Sequence, residues 1–149
     1  LAKKYSKFDH ALYLGRDTAF PIALEGALKL NEISYIHAEG YASGELKHGP
    51  IALIDDRFFE VFTILDNWLF DKACGGLHEV RARGGKTIVL TNSKADIEAD
   101  DIVRIESPIK LLTPILLNTL QQLFAYYVAV NRGNDVDQPR NLAKSVTVE

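Results

Sequence analysis

Short, nearly unbroken apolar runs recur along the chain with helical patterns between them, and that alternation limits the folds open to it. Lys86–Thr91 (KTIVLT) is the clearest run, β-branched and preceded by the breaker pair Gly84-Gly85. His10–Gly15 (HALYLG) and Phe58–Leu65 (FFEVFTIL) read the same way, and Ile102–Ile105 makes a fourth. A strand with one wet face alternates apolar and polar residues, whereas continuous runs like these need cover on both faces. Helical patterns supply it. One starts at about Pro21, a favoured first-turn residue; a second spans Trp68–Arg83, interrupted by Gly75-Gly76. The longest, Leu111–Val130, carries Pro114 in its first turn and is closed by Gly133. Lys94–Asp101 reads as a polar connection with a helical turn, and Ile36–Gly49 as a short extended piece followed by a brief helix through Ile54. This βαβα order predicts an α/β fold with a parallel sheet covered on both faces and right-handed connections.

Length and composition set the scale and exclude several functions. With 149 residues, 47% of them hydrophobic, the chain suits one globular core. A net charge of -3 and a pI near 5.8, with Lys and Arg scattered, leave no basic field for a nucleic-acid backbone, so no nucleic-acid partner is expected. The single cysteine, Cys74, cannot form an internal disulfide, and neither a charged-then-apolar leader nor an apolar run of membrane-spanning length stands out. The expectation is a soluble protein of the reducing cytoplasm with no membrane partner. The sequence starts at Leu1 and contains no methionine, which predicts a piece of a longer polypeptide. Leu1–Asp9 is polar and reads as a lead-in without a motif.

The chemistry concentrates in Leu24–Pro50 (LEGALKLNEISYIHAEGYASGELKHGP). Glu25, Lys29 and Glu32 stand at i, i+4 and i+7, so a helix aligns them in one narrow stripe. Leu24, Ala27, Leu28, Leu30 and Ile33 surround that stripe with apolar surface, which predicts a largely buried helix and three charges where water is scarce. The bland alternative is an ordinary surface ion pair with a third charge on an exposed edge. His48, in Lys-His-Gly-Pro, is held on a turn, as a functional imidazole or as a satisfied structural one. His37-Ala-Glu39 matches half of a zinc-deaminase signature whose C-x-x-C half is absent, so no metal is expected. The loop Gly15-Arg-Asp-Thr offers neither a dinucleotide fingerprint nor a P-loop, and no cofactor is expected. The tail, Asp135–Glu149 (DVDQPRNLAKSVTVE), is polar and by composition a loose terminus.

That tail and the Leu24–Pro50 stretch together resemble the glucosamine-6-phosphate synthases, the glutamine:fructose-6-phosphate aminotransferases, in the C-terminal half of their isomerase region. HALYLGR and EVRARGG agree with the same family. Asp17 stands where a glycine is expected after the arginine, Asn31 where a lysine is more usual, and Arg57–Cys74 keeps the alternation with unfamiliar residues. The resemblance implies a sugar isomerase (SIS) domain, a flavodoxin-like three-layer α/β/α sandwich, over residues 1–134. Residues 135–149 would be a tail carrying an active-site lysine. It implies the second of two tandem SIS copies in a homodimer, the first copy and a glutaminase domain being supplied by the same full-length protein. The implied ligands are fructose 6-phosphate, glucose 6-phosphate and glucosamine 6-phosphate.

By the same resemblance, Lys144 forms a Schiff base with the open-chain ketone and Glu32 shuttles a proton between C1 and C2. Lys29 transfers protons at the sugar oxygens, and His48 opens the ring from a neighbouring subunit. Glu25, Arg140 and Ala143 join Lys144 in holding the substrate. The implied reaction turns fructose 6-phosphate and glutamine-derived ammonia into glucosamine 6-phosphate, and the isolated chain should be inactive. A noncatalytic sugar-phosphate-sensing SIS module is the main alternative, and a purely structural dimerisation fragment another; the joint presence of Glu32, His48 and Lys144 favours the enzyme.

Overall fold

The structure is a computed structural model that describes residues 1–142. The elements run α1 (Ala2–Tyr5), β1 (His10–Gly15), α2 (Ala19–Ser34), β2 (His37–Ala42), β3 (Phe58–Ile64), α3 (Phe70–Arg81), β4 (Lys86–Thr91), β5 (Asp101–Arg104) and α4 (Thr113–Asn131). Single 3-10 turns at Leu46–His48, Pro50–Leu53 and Lys110–Leu112 fill the connections. All five strands are parallel, in the order β2-β1-β3-β4-β5.

The unbroken apolar strands are buried on both faces, as their composition requires. Ala11, Tyr13, Phe59, Val61, Ile88 and Leu90 point to one side and pack beneath α2 and α4; Leu14, Phe62, Ile64 and Val89 point to the other, beneath α3. Three layers result. Among the described residues no helix is long and apolar enough to cross a membrane.

Several local expectations are corrected. The extended piece after α2 is a full edge strand, β2, paired with β1 from His10↔His37 to Gly15↔Ala42. Its anchor is Asn31, whose Nδ2 donates to Ala38 O at 2.7 Å while Oδ1 accepts from Ala38 N at 2.8 Å. A lysine at position 31 could only donate, so the departure noted in the sequence has a local use. Leu1–Asp9 is more than a polar lead-in, because Tyr5 is fully buried among Phe8, Phe59 and Phe124. The run 94–100 has no helical turn, and Gly75-Gly76 do not interrupt α3. Asp17 adopts φ 53°, the left-handed region where the expected glycine would sit without strain. Gly133 (φ 76°) ends α4 in a Schellman pattern, with Gly133 N bonded to Val130 O and Asn134 N to Ala129 O.

Candidate active site

The stripe on α2 forms as the spacing predicts. Lys29 Nζ lies 2.6 Å from Glu32 Oε1 and 3.5 Å from Glu25 Oε1, so one ammonium is held between two carboxylates. The hydrogen bond to Glu32 is the main influence raising the Lys29 pKa above its ordinary value, and burial opposes it. Lys29 is therefore a cation at neutral pH, its proton held tightly between two carboxylates.

The surroundings differ from the expectation. Only one face of α2 is buried, through Ala19, Ala23, Gly26, Ala27, Leu30 and Ser34; Leu24 and Leu28 are about half exposed, and the three charged side chains keep 26–35% of their surface. The helix wheel cannot say which apolar residues meet a neighbour inside the same chain. The stripe lies on the outward edge of α2 beside two uncovered leucines.

The end of α2 also receives the tail. Tyr35 caps the helix in the left-handed conformation (φ 60°), a position that usually favours glycine. Here the side chain is used: Tyr35 Oη accepts from Arg140 N at 3.0 Å, and the Arg140 guanidinium sits 4.0 Å over the ring. Asn134 Nδ2 donates to Ile33 O at 3.0 Å. Residues 134 and 140 thus dock the start of the tail within one turn of Glu32, and the tail through Leu142 is not the loose terminus its composition suggests. Ala143 and Lys144 lie outside the described residues. Asn31, Tyr35 and Asn134 were missed because each acts through backbone or ring contacts that carry no sequence signature.

His48 is not brought to the stripe. Asn31 meets β2 at Ala38, near its amino end, whereas Leu24 packs against Gly40 further along, so α2 runs antiparallel to β2. Glu32 is therefore near the start of β2, while His48 follows its far end, roughly a strand length away. Buried Leu46 anchors the turn, and His48 is exposed, with Nδ1 2.7 Å from Glu45 Oε2. His37 and Glu39 form an exposed pair at 2.9 Å, and Tyr41 Oη donates to the same carboxylate. Among the described residues no cluster of three or more His, Cys, Asp or Glu side chains is arranged to hold a metal.

Residues 4–132 match the family model described as the SIS domain. The chain belongs to the SIS family. Over its whole length this SIS domain is 50% identical to a glutamine–fructose-6-phosphate aminotransferase (isomerizing) from Mesorhizobium japonicum and 55% identical to one from Bradyrhizobium diazoefficiens. It spans 25% of the length of each of those relatives. In structure it matches the C-terminal domain of glucosamine-fructose-6-phosphate aminotransferase from Francisella tularensis with a TM-score of 0.86 and 41% identity, over 92% of this chain and 40% of that one. It also matches a glucosamine-6-phosphate deaminase from Thermotoga maritima, with a TM-score of 0.74 and 25% identity, over 99% of this chain and 45% of that one.

Proposed function

We propose that this SIS domain is the second copy of the isomerase region of a glutamine:fructose-6-phosphate aminotransferase, with the domain over 1–134 and a catalytic tail over 135–149. The observation that carries the reading is the docking of Arg140 on Tyr35, which holds the residues just before Lys144 beside the Glu25–Lys29–Glu32 stripe. A ketose needs three things to become an aminoaldose: activation of its carbonyl, a proton moved between adjacent carbons, and an amine donor. Lys144 supplies the first as an imine, a better electron sink than the ketone and one that ammonia can displace. Glu32 moves the proton between C1 and C2, and Lys29 donates to the sugar oxygens. Glu25 and Arg140 position these groups.

Two features favour a site completed by other segments. Leu24 and Leu28 are uncovered beside the stripe, and His48 faces solvent at the other end of β2. A homodimer in which His48 serves the neighbouring subunit, with the phosphate held by the first SIS copy and ammonia delivered by a glutaminase domain, fits both. The ligands are fructose 6-phosphate, glucose 6-phosphate and glucosamine 6-phosphate, and the setting is the cytoplasm.

The test is borohydride reduction of the full-length protein with fructose 6-phosphate, followed by peptide mapping. The sugar-phosphate mass is expected on Lys144. An adduct found only on another lysine would overturn the assignment.

A further inference from the structure

Glu60 is the third residue of β3, the central strand, flanked in sequence by Phe59 and Val61 and in register by Leu12 of β1 and Thr87 of β4, whose hydroxyl is bonded to Asp100, and it is fully buried. Neither carboxyl oxygen has a hydrogen-bond partner among the described residues. Three elements converge on the carboxyl. A Cβ built at Gly85 would stand 2.5 Å from Val80 Cγ1 on α3, 2.8 Å from Glu60 Oε2 and 3.2 Å from Ile54 Cγ2, so all three groups close on one small apolar space. The charged and titratable groups facing it are mostly of the wrong sign: Asp100 from the strand connection ahead of β5 and Asp55 from the turn ahead of β3 both disfavour its ionisation. The Lys86 amide of β4 gives a weak opposing pull without closing a hydrogen bond of good geometry, and the Tyr5 phenol from α1 also senses the carboxyl.

A buried carboxylate with no donor costs several kcal/mol, so a side chain in this position keeps its proton. We propose that Glu60 is a neutral acid in the folded chain and acts as an alkaline release, its deprotonation loosening the Ile54–Gly85 corner and with it the His48 turn. The link is covalent and short. Ile54 directly follows the 3-10 turn Pro50–Leu53, which follows Gly49 and His48, and Ile54 is held from below by a long 3.4 Å bond to Ile51 O. Deprotonation puts a charge beside Ile54 for which no described group is a well-placed donor, and the shortest route for water to reach it is outward movement of the Ile54–Asp55 segment. Burial, followed by Asp100 and Asp55, raises the Glu60 pKa to about 8. Because the folded value lies above the unfolded one, the contribution to stability is complete below the ordinary carboxyl range and is lost as pH rises to about 8. With one proton bound by the native chain and none by the unfolded one, the unfolding constant grows at most about tenfold per pH unit across that window.

The experiment compares urea unfolding of the chain and of Glu60→Gln from pH 5.5 to 9.5, with amide exchange at both extremes. The wild-type chain is expected to lose stability steeply up to pH 8 relative to Glu60→Gln. The wild-type-to-variant ratio of exchange rates is expected to rise with pH most strongly at Ile54 and Gly85–Lys86. Parallel stability curves would overturn the proposal. If Glu60→Gln does not fold, infrared spectra of the wild-type chain still decide: the carbonyl stretch of a buried neutral acid, disappearing near pH 8, supports it, and absence of that band at pH 6 refutes it. These readouts are independent of whether His48 is catalytic.

Discussion

Substituting Gly26 by alanine sets two effects of opposite sign against each other. In an exposed helix the change would stabilise by about 1 kcal/mol. Gly26, however, is where α2 crosses α4, and an alanine Cβ there would overlap Gln121 Oε1 outright and stand 2.6 Å from Gln121 Cδ and 2.8 Å from Tyr13 Cε1. Gln121 is 1% exposed, so its amide has nowhere in solvent to go. Moving it breaks the 2.7 Å bond from Nε2 to Thr63 Oγ1, which strands two buried polar groups. A lost buried hydrogen bond costs about 1–3 kcal/mol and overpacking another ~1–3 kcal/mol. Against the helical gain, the net is a destabilisation of about 3 kcal/mol, or roughly 10 °C in Tm for a chain of this length. Thermal and urea unfolding followed by circular dichroism measure it. In a Gln121→Ala background the overlap with Gln121 is gone and only the 2.8 Å approach to Tyr13 Cε1 remains, so Gly26→Ala should cost much less than in the wild-type chain and the pair should couple strongly. A Tm for Gly26→Ala equal to or above wild type, with an unchanged denaturant slope, would refute the packing account.

Lys29→Ala in the full-length protein should cost at most about 1 kcal/mol, since both ion pairs are partly solvated. Product formation should nevertheless fall by at least ~100-fold, and full turnover would return the stripe to an ordinary surface pair. Tyr35→Gly relieves the left-handed cap yet removes the dock for Arg140. Stability should stay within about 1 kcal/mol of wild type, while the borohydride adduct on Lys144 should diminish; an undiminished yield would show that the dock is dispensable. Asp17→Gly should leave the fold as stable or raise its stability by up to ~1 kcal/mol, because φ 53° suits glycine; a clear drop in Tm would mean that the Asp17 side chain has a use of its own.

The elements that the sequence determined are those whose signals are local. KTIVLT became β4 residue for residue, because its unbroken Ile88–Leu90 run, flanked by β-branched threonines, is satisfied only where both faces of a strand are covered. The i, i+4, i+7 spacing delivered the Glu25–Lys29–Glu32 contact, because helical geometry alone brings those side chains together. Tertiary structure decided what no window of sequence contains. Which apolar residues of α2 are buried depends on the helix face that meets the sheet, and Ala27 and Leu30 turned inward while Leu24 and Leu28 did not. The rank of β2 as a full edge strand rests on the Asn31 clamp, and the docking of the polar segment through Leu142 on one ring, that of Tyr35. Glu60 is the sharpest case: within FFEVFTIL it is one polar letter, but between Gly85, Val80 and Ile54 it becomes a carboxyl with no donor, because burial and neighbouring charge are properties of the packed core alone.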